Sequence, residues 1–487
     1  MRQLKRAYYM RRTKIVCTIG PATESEERLE QLIRAGMNVA RLNFSHGAHD
    51  VHAAVIERVR KISERLGMPV AILQDLQGPK IRVGALQQPV SLVDGSTVTI
   101  TTRTVTGTSQ LIPTTYQNLP QDVKIGDRIL LDDGLMELRV LEFNDTDVQC
   151  LVINGGLLKQ HKGINLPGVN VSAPSLTEKD LEDLRFGVAN DVDYVALSFV
   201  RAAKDVIEAK EHIKALQAEY HTGGRQEPIP LIAKLEKPEA VQNLDEILAV
   251  VDGAMVARGD LGVEMAPEQV PLIQKHIITR CNELGLPVIT ATQMLESMIT
   301  NPRPTRAEVN DVANAVLDGT DAVMLSAETS VGAFPIEAVA MMGRIAREIE
   351  LNGNTAILPH CERLSQEHAV SHAARALAEE ASVKAIVVFT RSGLSAHLIS
   401  KDRPLTPIFA YTPSIHVYRR LALWWGISSH TIPLSGTTDE LISVVEQRLL
   451  DDNLMQKRDN VVIMGGLPIA SEVRTNFVKL HCVGSGK

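Results

Sequence analysis

Polar side chains follow several short apolar segments of this chain, at positions where they could bind a metal ion and a phosphate group. The positions, spaced two residues apart, are Arg41, Asn43 and Ser45; Lys234 and Glu236; Arg258 and Asp260; Thr290 and Thr292; and Ser326 and Glu328. Because side chains alternate faces along a strand, the members of each set share one face. Burying so many polar groups together costs free energy unless a ligand compensates them, so the repetition favours a binding site over isolated structural ion pairs.

Glu236 and Asp260 are the candidate metal ligands. Two carboxylates, with positions left open for water and substrate oxygens, are typical of Mg²⁺ or Mn²⁺ sites. No histidine or cysteine accompanies them, which argues against zinc. Arg41, Arg82 and Lys234 supply the positive charge that a phosphate requires. The sequence therefore predicts a phosphoryl-transfer site that uses a divalent ion.

The elements that must position these residues alternate between apolar strands and amphipathic helices, as in parallel sheets. The predicted strands are 14–20, 39–45, 70–76, 194–200, 230–236, 253–260, 287–293 and 322–328. Capping boxes at Thr23, Thr177 and Thr305 predict helix starts. About eight strands with helices between them predict a (β/α)₈ TIM barrel, whose chemistry lies at the carboxyl ends of its strands.

Two further domains are predicted from breaks in this alternation. Residues 79–173 are rich in short strands and turns, with a hairpin signal at Asp133 and Gly134. Beyond residue 352 the alternation returns as a smaller open α/β domain. The predicted α/β fold is a TIM barrel over 1–78 and 174–351, an inserted all-β lid domain over 79–173, and a C-terminal domain over 352–487.

Composition excludes several classes of protein. At 487 residues the chain exceeds the size of a single core, roughly 250 to 300 residues. The 44% hydrophobic residues argue against disorder, and the net charge of −7 argues against nucleic acid as a partner. No apolar run reaches the length of a membrane span. The five cysteines contain no CxxC pair, which favours a reducing, cytoplasmic location.

Several longer motifs resemble those of the bacterial type of pyruvate kinase. They are ARLNFSHG, DLQGPKIR, HKGINLPG, AKLEKPEA, VARGDLGVE and TATQMLESMITNPRPTRAEVNDVANAVLDGTDAVMLSAET. The resemblance extends from about Arg12 into the C-terminal domain. It implies glycolytic transfer of the phosphoryl group from phosphoenolpyruvate to ADP, giving pyruvate and ATP, with Mg²⁺ or Mn²⁺ as cofactor. It also implies a regulatory C-terminal domain and a homotetramer.

The resemblance further implies a role for each residue that matches a family motif. The metal ligands fall on Glu236 and Asp260, and the catalytic residues on Lys234, Arg41, Thr292, Ser326 and Glu328. The substrate-binding residues are Arg41, Lys234, Gly259, Asp260 and Thr292. The nucleotide-binding residues are Asn43, His46, Arg82 and Lys162. Lys162 belongs to the lid, so closure of the lid is expected to complete the site and expel water.

One departure from the family concerns a monovalent cation. Its site in potassium-dependent relatives corresponds here to Asn43, Ser45, Asp75, Leu76 and Lys80. Those relatives carry glutamate in place of Lys80 and threonine in place of Leu76. An ammonium at Lys80 can supply the charge that K⁺ otherwise brings, so we expect activity without potassium.

The segment TRSGLSA in the C-terminal domain is the expected effector site. It presents Thr390, Arg391, Ser392, Gly393 and Ser395 at the start of a helix, where backbone amides favour a phosphate. The family binds an effector phosphate here. The later segment GGLPIASEVRTN holds no cluster of basic residues for a second phosphate. We therefore expect a sugar monophosphate or AMP rather than fructose 1,6-bisphosphate.

Two other functions compete with this reading. A barrel lyase or aldolase could also use a Mg²⁺-bound enolate of pyruvate, but it would need no nucleotide and no lid carrying HKGINLPG. A non-enzymatic sensor of sugar phosphates would be expected to have lost Lys234, Glu236 or Asp260, and all three are present.

Overall fold

The computed structural model describes residues 11–220, 227–353, 365–433, 437–467 and 474–485, and its strands fall in four successive groups. The chain begins the barrel with β1 (Lys14–Thr18), β2 (Val39–Asn43) and β3 (Ala71–Asp75). The inserted region contributes β4 (Val90–Leu92), β5 (Thr97–Thr101), β6 (Leu111–Pro113), β7 (Arg128–Leu131), β8 (Met136–Phe143), β9 (Asp147–Asn154), β10 (Gly156–Leu158) and β11 (Ile164–Asn165). The barrel resumes with β12 (Tyr194–Leu197), β13 (Leu231–Leu235), β14 (Gly253–Ala257), β15 (Val288–Ala291) and β16 (Ala322–Leu325). The C-terminal region holds β17 (Ala385–Phe389), β18 (Ile408–Thr412), β19 (Ile427–Thr431), β20 (Asn460–Gly465) and β21 (Phe477–Cys482).

The α-helices lie between these strands. Those of the first barrel segment and the insertion are α1 (Glu26–Ala35), α2 (His49–Leu66) and α3 (Leu119–Asp122). The second barrel segment contains α4 (Glu178–Ala189), α5 (Ala203–Tyr220), α6 (Pro238–Gln242), α7 (Leu244–Leu248), α8 (Arg258–Glu264), α9 (Val270–Glu283), α10 (Arg306–Leu317), α11 (Ala327–Ser330) and α12 (Pro335–Asn352). The C-terminal region contains α13 (Gln366–Glu380), α14 (Leu394–Lys401), α15 (Ile415–Arg420) and α16 (Thr438–Asp451). None of the helices in these described ranges is both long and apolar enough to cross a membrane.

The predicted fold class is confirmed. Eight parallel strands close into a barrel in the order β1, β16, β15, β14, β13, β12, β3 and β2. The insertion forms a six-stranded sheet and a two-stranded sheet, and the predicted hairpin joins the antiparallel strands β7 and β8. The C-terminal sheet is open, with the order β19, β18, β17, β20 and β21, and only β21 runs antiparallel to its neighbour.

Two of the three predicted helix caps are confirmed and one is wrong. Thr177 and Thr305 form capping boxes with Asp180 and Glu308. Thr23 does not cap α1. Its hydroxyl donates instead to the carbonyl of Thr329, 2.8 Å away. Ser25 is the N-cap of that helix and accepts a hydrogen bond from Arg28 N.

All eight predicted barrel strands end one to three residues earlier than expected, and in two cases this moves candidate site residues onto a helix. The strand predicted over 253–260 ends at Ala257, and α8 begins at Arg258. The strand predicted over 322–328 ends at Leu325, and Glu328 lies on α11. The alternation of faces along a strand therefore does not relate Arg258 to Asp260 or Ser326 to Glu328.

Buried charges join the C-terminal domain to the amino-terminal end of the barrel. Asp321, which precedes β16 and is fully buried, accepts from Lys401 Nζ at 2.6 Å and from Arg403 Nη2 at 2.9 Å. It also accepts from Val288 N, at the start of β15. Because removing one member of such a group leaves a buried charge without compensation, these contacts fix the two domains against each other.

Candidate active site

Asp75 is the centre of a group of buried charges at the carboxyl end of the barrel. This residue ends β3 and is fully buried. Its Oδ2 accepts from Arg41 Nε at 2.6 Å, and its Oδ1 lies 3.3 Å from Lys234 Nζ. Arg41 also donates to Thr18 Oγ1 at 2.9 Å. Strands β1, β2, β3 and β13 therefore bring two cations to one carboxylate.

Lys234 extends this group to the first candidate metal ligand. Its Nζ lies 2.8 Å from Glu236 Oε1 and donates to Ser198 Oγ at 2.8 Å. Glu236 is 1% exposed, and its Oε2 accepts from Phe199 N at 3.0 Å. Together these contacts fix one orientation of the Lys234 ammonium, and they bring it beside Glu236, as the spacing predicted.

The pKa shifts within this group show which charges the site stabilises. Burial opposes ionisation of Asp75, but the charges of Lys234 and Arg41 outweigh burial and lower its pKa. Burial alone would lower the pKa of Lys234, yet Asp75 and Glu236 raise it above its usual value. The pKa of Glu236 is raised by burial and by the charge of Asp260. Lys234 is thus held as a cation, while two carboxylates repel each other beside it.

Asp260 and Gly259 lie in the first turn of α8, after β14. Asp260 lines the cavity between barrel and insertion, and its charge acts on both Glu236 and Lys234. Gly259 N donates to Thr292 Oγ1 at 2.7 Å. A Cβ at Gly259 would lie 3.3 Å from that hydroxyl oxygen, so a side chain here would crowd Thr292. The glycine thus allows the close approach of the helix to Thr292.

Arg258 holds the backbone at Thr292 rather than facing Asp260. Its Nη2 donates to Thr292 O at 2.6 Å, and its Nη1 lies 2.7 Å from Asp311 Oδ1. Thr292 has a φ of 69°, a left-handed conformation that costs free energy in a β-branched residue. The guanidinium stabilises this conformation and so fixes the threonine hydroxyl beside α8.

Ser326 and Glu328 meet at the end of β16. The Glu328 carboxylate accepts from Ser326 N at 2.7 Å and from Leu295 N at 3.1 Å. Burial raises the pKa of Glu328 despite these hydrogen bonds. Ser326 Oγ is buried, and within the described part of the chain it has no hydrogen-bond partner. A buried hydroxyl in this state indicates a position for water or ligand.

The predicted nucleotide-binding residues surround the cavity between barrel and insertion, which has a volume of about 290 Å³. His46, Arg82, Lys162 and Lys80 line it, and Asn43 supports it by accepting hydrogen bonds from Ser45 N and His46 N. Lys162 forms an ion pair of 2.8 Å with Asp132. Burial, followed by the charges of Lys80, Arg82 and Arg41, lowers the pKa of His46. The cavity therefore has the positive field that an anionic ligand needs.

The residues of the expected monovalent-cation region take different positions. The Asp75 carboxylate contacts Arg41 and Lys234, and Leu76 is buried. Asn43 Oδ1 accepts from Ser45 N at 3.2 Å. Lys80 is exposed at the cavity wall, close enough for its charge to act on His46.

The donor set fits a divalent cation that shares its ligands with substrate. Among residues 11–220, 227–353, 365–433, 437–467 and 474–485, no three His, Cys, Asp or Glu side chains gather as a metal site. Glu236 and Asp260 are two carboxylates whose mutual repulsion a cation would relieve. Mg²⁺ is commonly held by one or two carboxylates and completed by water and substrate oxygens.

The expected effector loop precedes α14 in the C-terminal domain. Thr390 Oγ1 accepts from Gly393 N at 3.0 Å, and Ser392 Oγ accepts from Leu394 N at 3.4 Å. Ser395 is buried and pairs with Thr475 Oγ1 at 2.7 Å. Ser392 is exposed, whereas Arg391 is half-buried. Residues 468–473 of the segment GGLPIASEVRTN lie outside the described residues.

Sequence reasoning missed one residue that completes the site and placed another differently. Ser198, which follows β12 and donates its hydroxyl hydrogen to Leu76 O, orients Lys234. A polar residue just after a barrel strand is the signal that could have identified it. Arg258, grouped with the charges of the mouth, proves to be a support of Thr292.

Comparisons with known proteins identify the family. The model of the pyruvate kinase barrel domain matches residues 10–339, and the model of the pyruvate kinase alpha/beta domain matches residues 368–481. A pyruvate kinase of Staphylococcus haemolyticus is 47% identical over 98% of this chain and 81% of its own length. One from Geobacillus stearothermophilus is 47% identical over 97% of this chain and 80% of its own length.

A solved structure agrees with these sequence matches. The crystal structure of a pyruvate kinase from Cryptosporidium parvum has a TM-score of 0.91 and 38% identity, covering 98% of this chain and 97% of its own. The lyase and sensor readings are therefore set aside, and the chain belongs to the pyruvate kinase family of phosphotransferases.

Proposed function

We propose that this chain carries out the pyruvate kinase reaction, transfer of a phosphoryl group from phosphoenolpyruvate to ADP, through the linked charges of Arg41, Asp75, Lys234 and Glu236. The observation that carries the proposal is the continuous series of buried contacts from Arg41 to Glu236 at the mouth of the barrel. Two fixed cations in a site of low dielectric stabilise developing negative charge more strongly than they would in water.

Arg41 and Lys234 are the proposed groups that act on the transferring phosphoryl. Hydrogen bonds to Asp75 and Thr18 fix the Arg41 side chain. Its remaining N–H donors can therefore bind the phosphoryl group without rearranging the side chain. Lys234, kept charged by Asp75 and Glu236, stabilises the enolate oxygen as the bond to phosphorus breaks. Both contributions come from positioning rather than from a covalent intermediate.

Glu236 and Asp260 are the proposed ligands of Mg²⁺ or Mn²⁺. When bound there, the ion would neutralise charge on the phosphoryl and enolate oxygens. The backbone amides of Gly259 and Asp260, together with Thr292, are proposed to bind the substrate carboxylate. The support is the contact between Gly259 N and Thr292 Oγ1, which fixes the threonine against the first turn of α8.

Protonation of the enolate is proposed to involve Thr292, Ser326 and Glu328. The Ser326 hydroxyl, buried without a protein partner among the described residues, can hold a water molecule for this step. Glu328 has a raised pKa and holds Ser326 and Leu295 through their backbone amides. These features support a relay through water toward the substrate carbon.

The nucleotide is proposed to bind in the cavity between barrel and lid, with Asn43, His46, Arg82 and Lys162 as its contacts. The cationic lining of this cavity and its volume of about 290 Å³ support the proposal. Lys80 contributes a permanent positive charge at the same wall, and we propose that K⁺ is therefore not required.

The C-terminal domain is proposed to bind a phosphorylated activator at Thr390, Arg391, Ser392, Gly393 and Ser395. The amides of Gly393 and Leu394 are held by hydroxyl groups that a phosphate could displace. A sugar monophosphate or AMP is the proposed effector, in preference to fructose 1,6-bisphosphate.

The remaining expectations also stand as proposals. We propose a homotetramer in the cytoplasm. The four cysteines within the described residues are all free thiols, as expected in a reducing compartment: Cys17, Cys150, Cys281 and Cys482. The domain boundaries of 78/79, 173/174 and 351/352 are proposed from the sequence.

Replacing Lys162 tests the role of the lid in turnover. Lys162→Ala should lower kcat with ADP by about 10- to 100-fold, the scale expected for one positioned charge in a phosphoryl-transfer site. The fold should persist, because Lys162 is 41% exposed and its ion pair is with Asp132 alone among the described residues. A coupled assay of pyruvate formation measures the effect, and Lys159→Ala, an exposed lysine of the same domain, is the control. Unchanged kinetics for both substrates would refute the assignment.

The requirement for potassium is tested by ion replacement. Activity in tetramethylammonium chloride should equal that in KCl within about twofold, since the Lys80 charge is always present. Lys80→Glu should lower the rate in tetramethylammonium by about tenfold, equivalent to about 1.4 kcal/mol, and KCl should restore it. A large stimulation of the unmodified chain by K⁺ would contradict the proposal.

The effector site is tested by adding charge to its exposed serine. In Ser392→Asp, the carboxylate should repel a phosphate and raise the activation constant for AMP or a sugar monophosphate by at least about tenfold. Ser443→Asp, at an exposed position on α16, is the control and should respond as the unmodified chain does. The measurement is an activator titration at subsaturating phosphoenolpyruvate. Undiminished activation of Ser392→Asp would place the effector elsewhere.

A further inference from the structure

A buried contact between lid and barrel involves a carboxylate outside the proposed catalytic set. Glu264, the last residue of α8, has a side chain that is only 1% exposed. Its Oε1 accepts from Asn165 Nδ2 at 2.9 Å and lies 2.6 Å from Lys237 Nζ. Asn165 belongs to β11 of the lid, whereas Glu264 and Lys237 belong to the barrel.

The three residues lie next to the segments that carry the proposed chemistry. Lys237 directly follows Glu236, and Glu264 lies one helical turn after Asp260 on α8. Asn165 lies three residues after Lys162 in the segment HKGIN. The hydrogen bond from Asn165 therefore connects the lid to α8, which holds Asp260. Through the ion pair of Glu264 with Lys237, it also connects the lid to the segment that holds Glu236.

The surroundings of this contact concentrate the hydrogen bonds of Glu264 on one of its two carboxylate oxygens. The side chain of Lys237 is 13% exposed, and its ammonium lies 5.7 Å from the ring centre of Phe199, whose N–H donates to Glu236. Within the described residues, Glu264 Oε2 is buried and has no hydrogen-bond partner. All of the hydrogen bonding of this carboxylate is thus concentrated on Oε1. Loss of Asn165 would leave it with Lys237 alone.

Other contacts between lid and barrel lie where the chain leaves the lid. Arg201 donates to the backbone carbonyls of Val171 and Ala173, where the chain returns from the lid to the barrel. Those contacts hold the segment through which the chain returns to the barrel. The Asn165 contact instead acts on the lid segment that carries Lys162.

We propose that Asn165, Glu264 and Lys237 form a lid latch that positions Lys162 over the nucleotide. Asn165 and Lys237 also line the cavity between barrel and lid, but both side chains bind the Glu264 carboxylate, so we treat the three as positioning residues. The inference rests on the proposed role of Lys162 with ADP. The latch selects the closed lid orientation when the nucleotide is bound, whereas phosphoenolpyruvate, held by barrel residues, does not depend on it.

Two substitutions of Asn165 test the latch. Asn165→Ala removes the donor, and Asn165→Asp keeps the side-chain size but faces Glu264 with a second carboxylate. Loss of one hydrogen bond to a charged group should raise KM for ADP by about five- to tenfold, and Asn165→Asp should raise it more. KM for phosphoenolpyruvate should stay within about twofold, because its proposed ligands all lie on the barrel. Asn154→Ala, an exposed asparagine at the end of β9, is the matched control.

The outcomes separate the latch from the function on which it rests. An ADP-specific rise in KM with an unchanged unfolding temperature supports the latch. Unchanged kinetics, a parallel rise in KM for both substrates, or a lowered unfolding temperature without a kinetic effect would overturn it. If Lys162→Ala also leaves ADP kinetics unchanged, the failure lies in the proposed nucleotide site rather than in the latch.

Discussion

The structure depends on holding two cations and two carboxylates out of water at one end of the barrel. Each of these charges would be costly to bury alone. Arg41 is compensated by Asp75 on the adjacent strand, and Lys234 is compensated by Asp75, two strands away, and by Glu236 just after its own strand. Asp75 is central because it contacts both Arg41 and Lys234, which would otherwise repel each other. With Asp260 the group has an excess of negative charge, which matches a divalent cation, and its fixed cations match an anionic substrate.

The barrel carries the candidate site, and the other two domains contact the barrel at its opposite ends. The lid closes a cavity lined by cations, and its contact through Glu264 ends beside both proposed metal ligands. At the opposite end, Asp321 binds Lys401 and Arg403 of the C-terminal domain and contacts the start of β15. Lys401 is the last residue of α14, and the proposed effector loop lies at the start of the same helix. The helix α14 therefore links that loop to β15 and β16, the strands that Thr292 and Ser326 directly follow.

Sequence patterns predicted the barrel, the insertion and the placement of Lys234 beside Glu236. These features follow from the alternation of strands and helices and from the rule that the chemistry of a TIM barrel lies at the carboxyl ends of its strands. Strand periodicity failed at Arg258, since Arg258 and Asp260 are spaced two residues apart, as on one face of a strand, although a helix begins there. The cap at Thr23 was wrong because its hydroxyl finds a carbonyl partner distant in sequence. The contact of Asn165 with Glu264 depends on how the lid rests on the barrel, and no local pattern encodes that orientation.

Binding of Mn²⁺, followed by electron paramagnetic resonance in the presence of phosphoenolpyruvate, tests the central claim most directly. Substituting Glu236→Gln should weaken Mn²⁺ binding by at least about tenfold, because one of two charged ligands becomes neutral. Glu268→Gln, at an exposed site just after α8, should bind as the unmodified chain does. Equal Mn²⁺ affinity for Glu236→Gln and the unmodified chain would contradict the account.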